Sequence, residues 1–352
     1  MQLFFEPFSV NKCFPLTISR GTTAQNTNIW LRLREEGIEG WGEVSPFSVT
    51  HQPKPATEML LAELNAIAPH LEPYHPLQRQ SIEESLRAQQ RSSAVRAAID
   101  TALHDWLGKR ANLPLWQVWG LDLERIVPIS VTIGLSSPEA ARQRVRQWQE
   151  LMDVTLLKIK LGSPEGLERD RAQFLAVRAE APHADLTVDA NGGWSLEEAI
   201  EMSEWLAERG VKYIEQPLPV GEEAKLARVS ARSPVPIFVD ESCFNSQDIP
   251  RLAGCVSGVN LKLMKAGGLT EVLRAVRIAK ACGLQVMYGC YSDSSLANTA
   301  MSHLAPLADY LDLDSHLNLL DDPFTGAQVQ RGRLIPNTLP GLGVSRCVPI
   351  QG

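Results

Sequence analysis

Thr155-Leu156-Leu157-Lys158-Ile159-Lys160-Leu161-Gly162 is the stretch on whose reading the fold depends. Its β-branched and aliphatic residues end in a glycine and run into Ser163-Pro164-Glu165, the pattern of a buried parallel strand handing over to a helix. Side chains alternate along a strand, so Leu157, Ile159 and Leu161 share one face and Lys158 and Lys160 the other. Two lysines on an inward face are costly unless neighbouring groups pair or use their charge. An edge strand with one solvated face would accommodate an isolated KxK, but the downstream sequence argues against it.

Three later stretches end in apolar residues and then one carboxylate: Leu186-Thr187-Val188-Asp189, Tyr213-Ile214-Glu215 and Ile237-Phe238-Val239-Asp240. The carboxylates are 26 and 25 residues apart, about one strand–helix unit each. A fourth stretch, Gly258-Val259-Asn260-Leu261-Lys262-Leu263-Met264-Lys265, places Lys262 another 22 residues on. Helix capping explains one such ending; it does not explain four in register.

Working outward, strands are expected at 127–134, 155–161, 186–190, 212–216, 236–240, 258–264, 285–289 and 309–314, with helices between them. Eight strands with seven intervening segments predict an α/β fold, a (β/α)₇β barrel over 126–315. A doubly wound open sheet is the runner-up, but no GxGxxG follows any strand. Active sites of such barrels lie at the carboxyl ends of the strands, so Lys158, Lys160, Asp189, Glu215, Asp240 and Lys262 are expected around one mouth. Residues 1–125 read differently. Short apolar runs at 3–10 and 14–19 precede a hairpin of 28–33 with 38–44, and three helices follow at 56–71, 81–89 and 92–107, which together suggest an α+β domain. The Pro- and Gly-rich tail, 316–352, is expected to fold back on that domain.

Composition narrows the class. The 352 residues are 44% hydrophobic and 21% charged, with a net charge of −7 and no basic tract, which excludes nucleic acid and an anionic membrane surface as partners. The opening MQLFFEPFSV lacks a basic leading segment, and no apolar run is long enough to span a bilayer. The six cysteines show no metal-like spacing. A cytoplasmic protein is expected, with a small molecule as partner and self-association into a homo-oligomer left open.

Three carboxylates with no Cys or His ligand pattern make a hard, oxygen-only site suited to Mg²⁺. A lysine, whose ammonium ordinarily titrates at about 10.4, is expected to be lowered by burial, metal and other cations. Neutral at roughly pH 8, it could take a proton from a carbon beside a carboxylate.

The motifs KIK (158–160), VDAN (188–191), IEQP (214–217), VDES (239–242) and NLKLMKAGG (260–268) make the resemblance specific. Over almost its whole length the chain resembles the enolase superfamily, in the muconate lactonizing enzyme subgroup. The resemblance implies a capping domain built from the N-terminal region and the tail, and one Mg²⁺ per subunit on Asp189, Glu215 and Asp240. It makes Lys160 and Lys262 the two bases. Lys158 is expected to add positive charge near the substrate, with Asn191 and Glu241 supporting the ligands from behind. Within the subgroup, KLMKAGG and Asp312-Leu313-Asp314 look most like a dipeptide epimerase. Alternation puts Asp312 and Asp314 on one face, ready to hold a peptide α-ammonium. The implied reaction is 1,1-proton transfer inverting the α-carbon of a dipeptide's C-terminal residue. The alternatives are o-succinylbenzoate synthase and N-acylamino acid racemase, whose substrates carry no free ammonium. Specificity is expected in loops at 19–28 and 46–56. Arg20 is the candidate there for a substrate contact, against a structural ion pair as the competing reading, and no strong preference for a C-terminal Glu is expected. Gly267 and Gly268 are expected to let backbone approach the substrate.

Overall fold

The computed structural model of the chain describes residues 1–347. Three antiparallel strands open it: β1 (Gln2–Ile18), β2 (Gly21–Glu35) and β3 (Ile38–Val44). The two short runs expected at 3–10 and 14–19 are one 17-residue strand. Their interruption survives as a register shift between Asn11 and Leu16, around Pro15, which has no N–H to give the ladder. The expected loop at 19–28 is likewise corrected: Ser19 and Arg20 form a tight turn, and the rest is the outgoing arm of a long hairpin.

Helices α1 (Thr57–Leu71), α2 (Arg79–Ala88) and α3 (Ser93–Ala111) follow. The alanine-rich sequence of α3 has a packing reason. A Cβ added to Gly40 or Gly42 of β3 would lie 2.0 Å from the carbonyl oxygens of Ala102 and Ala98, so helix and strand meet almost backbone to backbone. Ser92 caps the start of α3 through Val95 N–H, and Asn112 ends it in the left-handed conformation.

Eight parallel strands then pair in chain order: β4 (Val131–Ile133), β5 (Leu156–Lys160), β6 (Asp185–Asp189), β7 (Ile214–Glu215), β8 (Ile237–Val239), β9 (Gly258–Lys262), β10 (Gln285–Gly289) and β11 (Tyr310–Asp312). A parallel bridge between Ile129 and Leu311, with Ser130 N–H donating to Leu311 O at 2.8 Å, joins the last strand to the first. The sheet is therefore a barrel and not an open doubly wound sheet. Helices occupy the gaps as expected except between β8 and β9, where only the short Ile249–Leu252 turn fits. Low in the barrel, Tyr213, Phe238 and Met287 pack with Tyr310 into an apolar plug. Gly258 is required there, since its Cβ would meet the Phe238 ring at 2.3 Å. Above this plug the inward positions turn polar.

The tail packs on the first domain: Phe324 meets the rings of Phe8 and Trp41, each at 5.8 Å. It also reaches the barrel, where Gly332 O accepts from Ile129 N–H at 2.8 Å. Among the described residues, no helix is long and apolar enough to cross a membrane.

Candidate active site

Strand register assembles the mouth. Lys160, Asp189 and Glu215 are successive partners across β5, β6 and β7. Glu215 pairs with Phe238, so Asp240, two residues further on and just past the end of β8, faces inward one layer higher. Lys160 Nζ lies 2.6 Å from Asp189 Oδ2, and Lys262 Nζ lies 2.8 Å from Asp240 Oδ2. In an eight-strand ring β5 and β9 are four strands apart, so the two lysines approach from opposite sides. Both border a cavity of about 410 Å³ between the mouth and the first domain.

Two further lysines lie beneath and do not border that cavity. Lys158 is wholly buried, with Nζ 2.7 Å from Glu215 Oε2, 2.7 Å from Asp312 Oδ2 and 3.1 Å from Asp189 Oδ2. Lys265 sits under Asp240, 2.6 Å from Oδ1, and also donates to Asn260 O at 3.0 Å and to the carbonyl of Asp240. Asn260 in turn donates to Glu215 Oε1 at 2.8 Å.

These contacts fix the ionisation. Burial raises the Asp189 carboxyl, but Lys160 and Lys158 outweigh it and hold the group below the usual carboxylate range. At Asp240 burial is overcome in the same way by Lys262 and Lys265. Glu215 is pushed up to about 7 by burial and by the charge on Asp189. For Lys262 burial lowers the ammonium, yet Asp240 outweighs burial and leaves it well above its ordinary value. A base made neutral by burial is therefore not what these side chains produce by themselves at Lys262.

Behind these carboxylates, Asn191 N–H donates to Asp189 Oδ1 at 2.8 Å, and its side chain donates to Glu241 Oε1 at 3.2 Å. Arg20 is engaged: its Nη2 is 2.7 Å from Glu241 Oε1, and its Nη1 donates to Asn191 O at 3.1 Å. It ties the hairpin tip to the loop after β6. Asp312 and Asp314 both border the large cavity, as alternation implies, but they are unequal. Asp312 is held by Lys158 and by Ser130 Oγ at 2.9 Å, which overcome burial and keep it ionised below its usual range. Asp314 lies just past the strand end. It accepts Thr132 N–H at 2.8 Å and forms no ion pair among the described residues; burial and the neighbouring Asp312 push it up.

The glycine expectation is corrected. A Cβ on Gly267 would meet the Arg96 guanidinium, and one on Gly268 would meet Asp100, so both glycines accommodate α3 of the first domain and not a substrate. The glycine that matters at the mouth is Gly289 of β10. A Cβ there would lie 2.7 Å from the Asn260 side chain and 2.9 Å from Lys262 Cε. Sequence reading also missed Lys265, whose position in NLKLMK was the available signal, and Tyr291, whose ring faces the Lys262 ammonium at 4.4 Å. It missed Lys12, Phe14 and Arg144 on the cavity wall, for which no motif gave a signal.

Residues 4–120 match the mandelate racemase/muconate lactonizing enzyme N-terminal domain, and residues 139–346 match the enolase C-terminal domain-like family. A hydrophobic dipeptide epimerase from a Flavobacteria bacterium is 42% identical over 345 residues, covering 97% of each chain. Another from Roseobacter litoralis is also 42% identical, covering 97% of this chain and 98% of its own. The solved dipeptide epimerase from Enterococcus faecalis, complexed with Mg and L-Leu-L-Tyr, superposes with a TM-score of 0.90 at 29% identity, covering 98% of this chain and 99% of its own. The chain belongs to the mandelate racemase/muconate lactonizing enzyme family of the enolase superfamily.

Proposed function

We propose that this protein is a Mg²⁺-dependent dipeptide epimerase that inverts the α-carbon of the C-terminal residue. The observation that carries the reading is the pair Lys160 and Lys262, brought from opposite sides of the barrel to one cavity. Inversion needs a proton removed on one face of a carbon and returned on the other, and two opposed amines supply that. The relatives named as dipeptide epimerases, and the Mg and dipeptide bound in the Enterococcus faecalis structure, support the same substrate class.

The donor set fits a hard divalent ion. Asp189, Glu215 and Asp240 are all buried, and Glu215 Oε2 accepts no well-aligned hydrogen bond although Lys158 Nζ is 2.7 Å away. As the side chains stand, no three acidic groups among the described residues are clustered tightly enough to enclose an ion, and lysine ammoniums lie against the carboxylates. These three would hold one Mg²⁺ per subunit, which supplies positive charge for the substrate carboxylate and for the charge that builds there as Cα loses its proton. Lys160 Nζ and Lys262 Nζ exchange protons with Cα on its two faces. Lys158 holds Asp189 and Glu215 in place and, with Lys160, keeps Asp189 ionised. Asp314, which makes no direct ion pair among the described residues, accepts the α-ammonium beside Asp312. That carboxylate without a direct ion pair is the feature that disfavours N-acylamino acid racemase and o-succinylbenzoate synthase.

Arg20 is committed to Glu241, so a C-terminal acidic side chain gains no free cation there, and an apolar residue is the expected C-terminal partner. The six unpaired cysteines fit a reducing, cytoplasmic setting. The test is α-proton exchange in D₂O, followed by NMR, on L-Leu-L-Tyr, L-Ala-L-Leu, L-Ala-L-Glu and N-acetyl-L-Ala-L-Leu. Epimerisation of the free dipeptides is expected with Mg²⁺ and lost in EDTA. Equal turnover of the acetylated compound would overturn the ammonium assignment, and full activity in EDTA would overturn the metal.

A further inference from the structure

Three charged groups bordering the large cavity make no direct ion pair among the described residues, although Asp314 is near enough to act on both Lys12 and Arg144 through space. Lys160 and Lys262 are paired with Asp189 and Asp240, and Asp312 with Lys158. Asp314, Lys12 and Arg144 form no ion pair among the described residues. Arg144 is held in an unusual way. Its guanidinium is sandwiched between the Phe14 ring at 3.8 Å and the Trp148 ring at 4.1 Å. Its single hydrogen bond runs from Nη2 to Asn318 Oδ1 at 3.3 Å, and Nη1 is buried with no partner. Lys12, on β1, is 7% exposed, and its ammonium makes no hydrogen bond among the described residues. Burial depresses both cations, Arg144 to about 10. A desolvated donor without an acceptor is expensive to keep, and an anion from outside would satisfy it.

Position says which anion. Arg144 stands on the helix Pro138–Leu151, which follows β4, and β4 closes the barrel against β11, the strand leading to Asp314. If Asp314 takes the α-ammonium, the N-terminal side chain branches from the carbon bearing that ammonium, at the same end of the cavity. We propose that this end is a subsite for an acidic N-terminal side chain, its carboxylate bound by Arg144 and Lys12. The preferred substrates are then dipeptides with Asp or Glu first and an apolar residue second. An ammonium on Asp314 and a carboxylate between Arg144 and Lys12 would give each of the three a direct partner and would satisfy the buried Arg144 Nη1, which a neutral side chain does not. This assignment rests on the epimerase reading.

The experiment measures kcat/KM for L-Glu-L-Leu, L-Asp-L-Leu, L-Gln-L-Leu and L-Leu-L-Leu on the Mg²⁺-loaded enzyme and on Arg144→Met, Arg144→Lys and Lys12→Met. The isosteric pair Glu-Leu over Gln-Leu is the decisive ratio. In the native protein it is expected to exceed about ten, the size of one charge-assisted contact, and to act mainly through KM. Arg144→Met should bring the ratio to near one, and Arg144→Lys should retain part of it. Lys12→Met should lower it by a smaller factor. If Arg144 were only a clamp between Phe14 and Trp148, the methionine variant would depress both substrates alike and leave the ratio intact, which overturns the assignment. A native ratio near one also overturns it while leaving the epimerase standing. Failure of every dipeptide to exchange would instead overturn the activity, and this subsite with it.

Discussion

The Lys160–Asp189 half of the site and the Lys262–Asp240 half present the same lysine–carboxylate pair to the cavity, but what lies beneath them differs. Under the first, Lys158 serves three carboxylates drawn from β6, β7 and β11. Under the second, Lys265 serves one carboxylate and two backbone carbonyls, all within residues 240–265. The first half is a charge network spanning the barrel, and the second is a local brace. The second is also confined sterically, by Gly289 on one side and the Tyr291 ring on another. Two opposed lysine–carboxylate pairs have therefore been built by unequal means, and perturbations should spread from one half and stay local in the other.

The largest effect should come from removing either base. Lys160→Ala and Lys262→Ala are each expected to slow epimerisation about 10⁴-fold. Each should still exchange the α-proton of one enantiomer in D₂O, and the two variants should favour opposite enantiomers. Exchange of the same enantiomer by both would show that the lysines do not serve opposite faces. Next come the hidden lysines. Lys158→Met leaves three buried carboxylates without their shared cation and should destabilise the fold by about 3–5 kcal/mol in urea unfolding. Lys265→Met leaves Asp240 still paired with Lys262, so a loss of about 1–3 kcal/mol is expected. Equal losses would erase the contrast between network and brace.

Gly289→Ala tests the confinement. Its added methyl must displace Asn260 or Lys262, so exchange on the Lys262 face should fall about tenfold, as one misplaced interaction costs. The Lys160 face should change far less, and a uniform fall on both faces would mean that the barrel itself had shifted. The smallest effect is expected from Tyr291→Leu, which removes a ring beneath the Lys262 ammonium worth about 0.5–1 kcal/mol. A two- to fivefold loss confined to the Lys262 face, read by the same exchange assay, is the expected outcome.

The network half was the more legible one. Lys158, Lys160, Asp189 and Glu215 all lie within strands, where alternation and the spacing of successive units disclose face and depth. Lys265 was passed over because it sits beyond the strand, in the short turn Leu263–Ala266, where alternation no longer applies. The polar run after Arg20 reads as a loop because Gly21-Thr22-Thr23 lacks apolar alternation. The hairpin arm it forms takes its pairing from β1 and needs no buried face there. Lys12 and Arg144 were invisible for another reason: their environment is made by Asn318 and by a register shift in β1, and neither leaves a local pattern.

That last contact also sets an order of assembly. Phe14 N–H donates to Asn318 Oδ1 at 3.0 Å and Asn318 Nδ2 donates back to Phe14 O at 2.8 Å, across 304 residues of chain. Asp321 accepts from both the backbone N–H and the side-chain Nδ2 of Asn11, across 310 residues. This wall of the cavity is thus secured by contacts between segments about 300 residues apart in the chain. Such long-range closure is entropically late in folding. The barrel strands, paired between neighbours in sequence, can form while this wall is still open, so in refolding the cavity wall should close after the barrel.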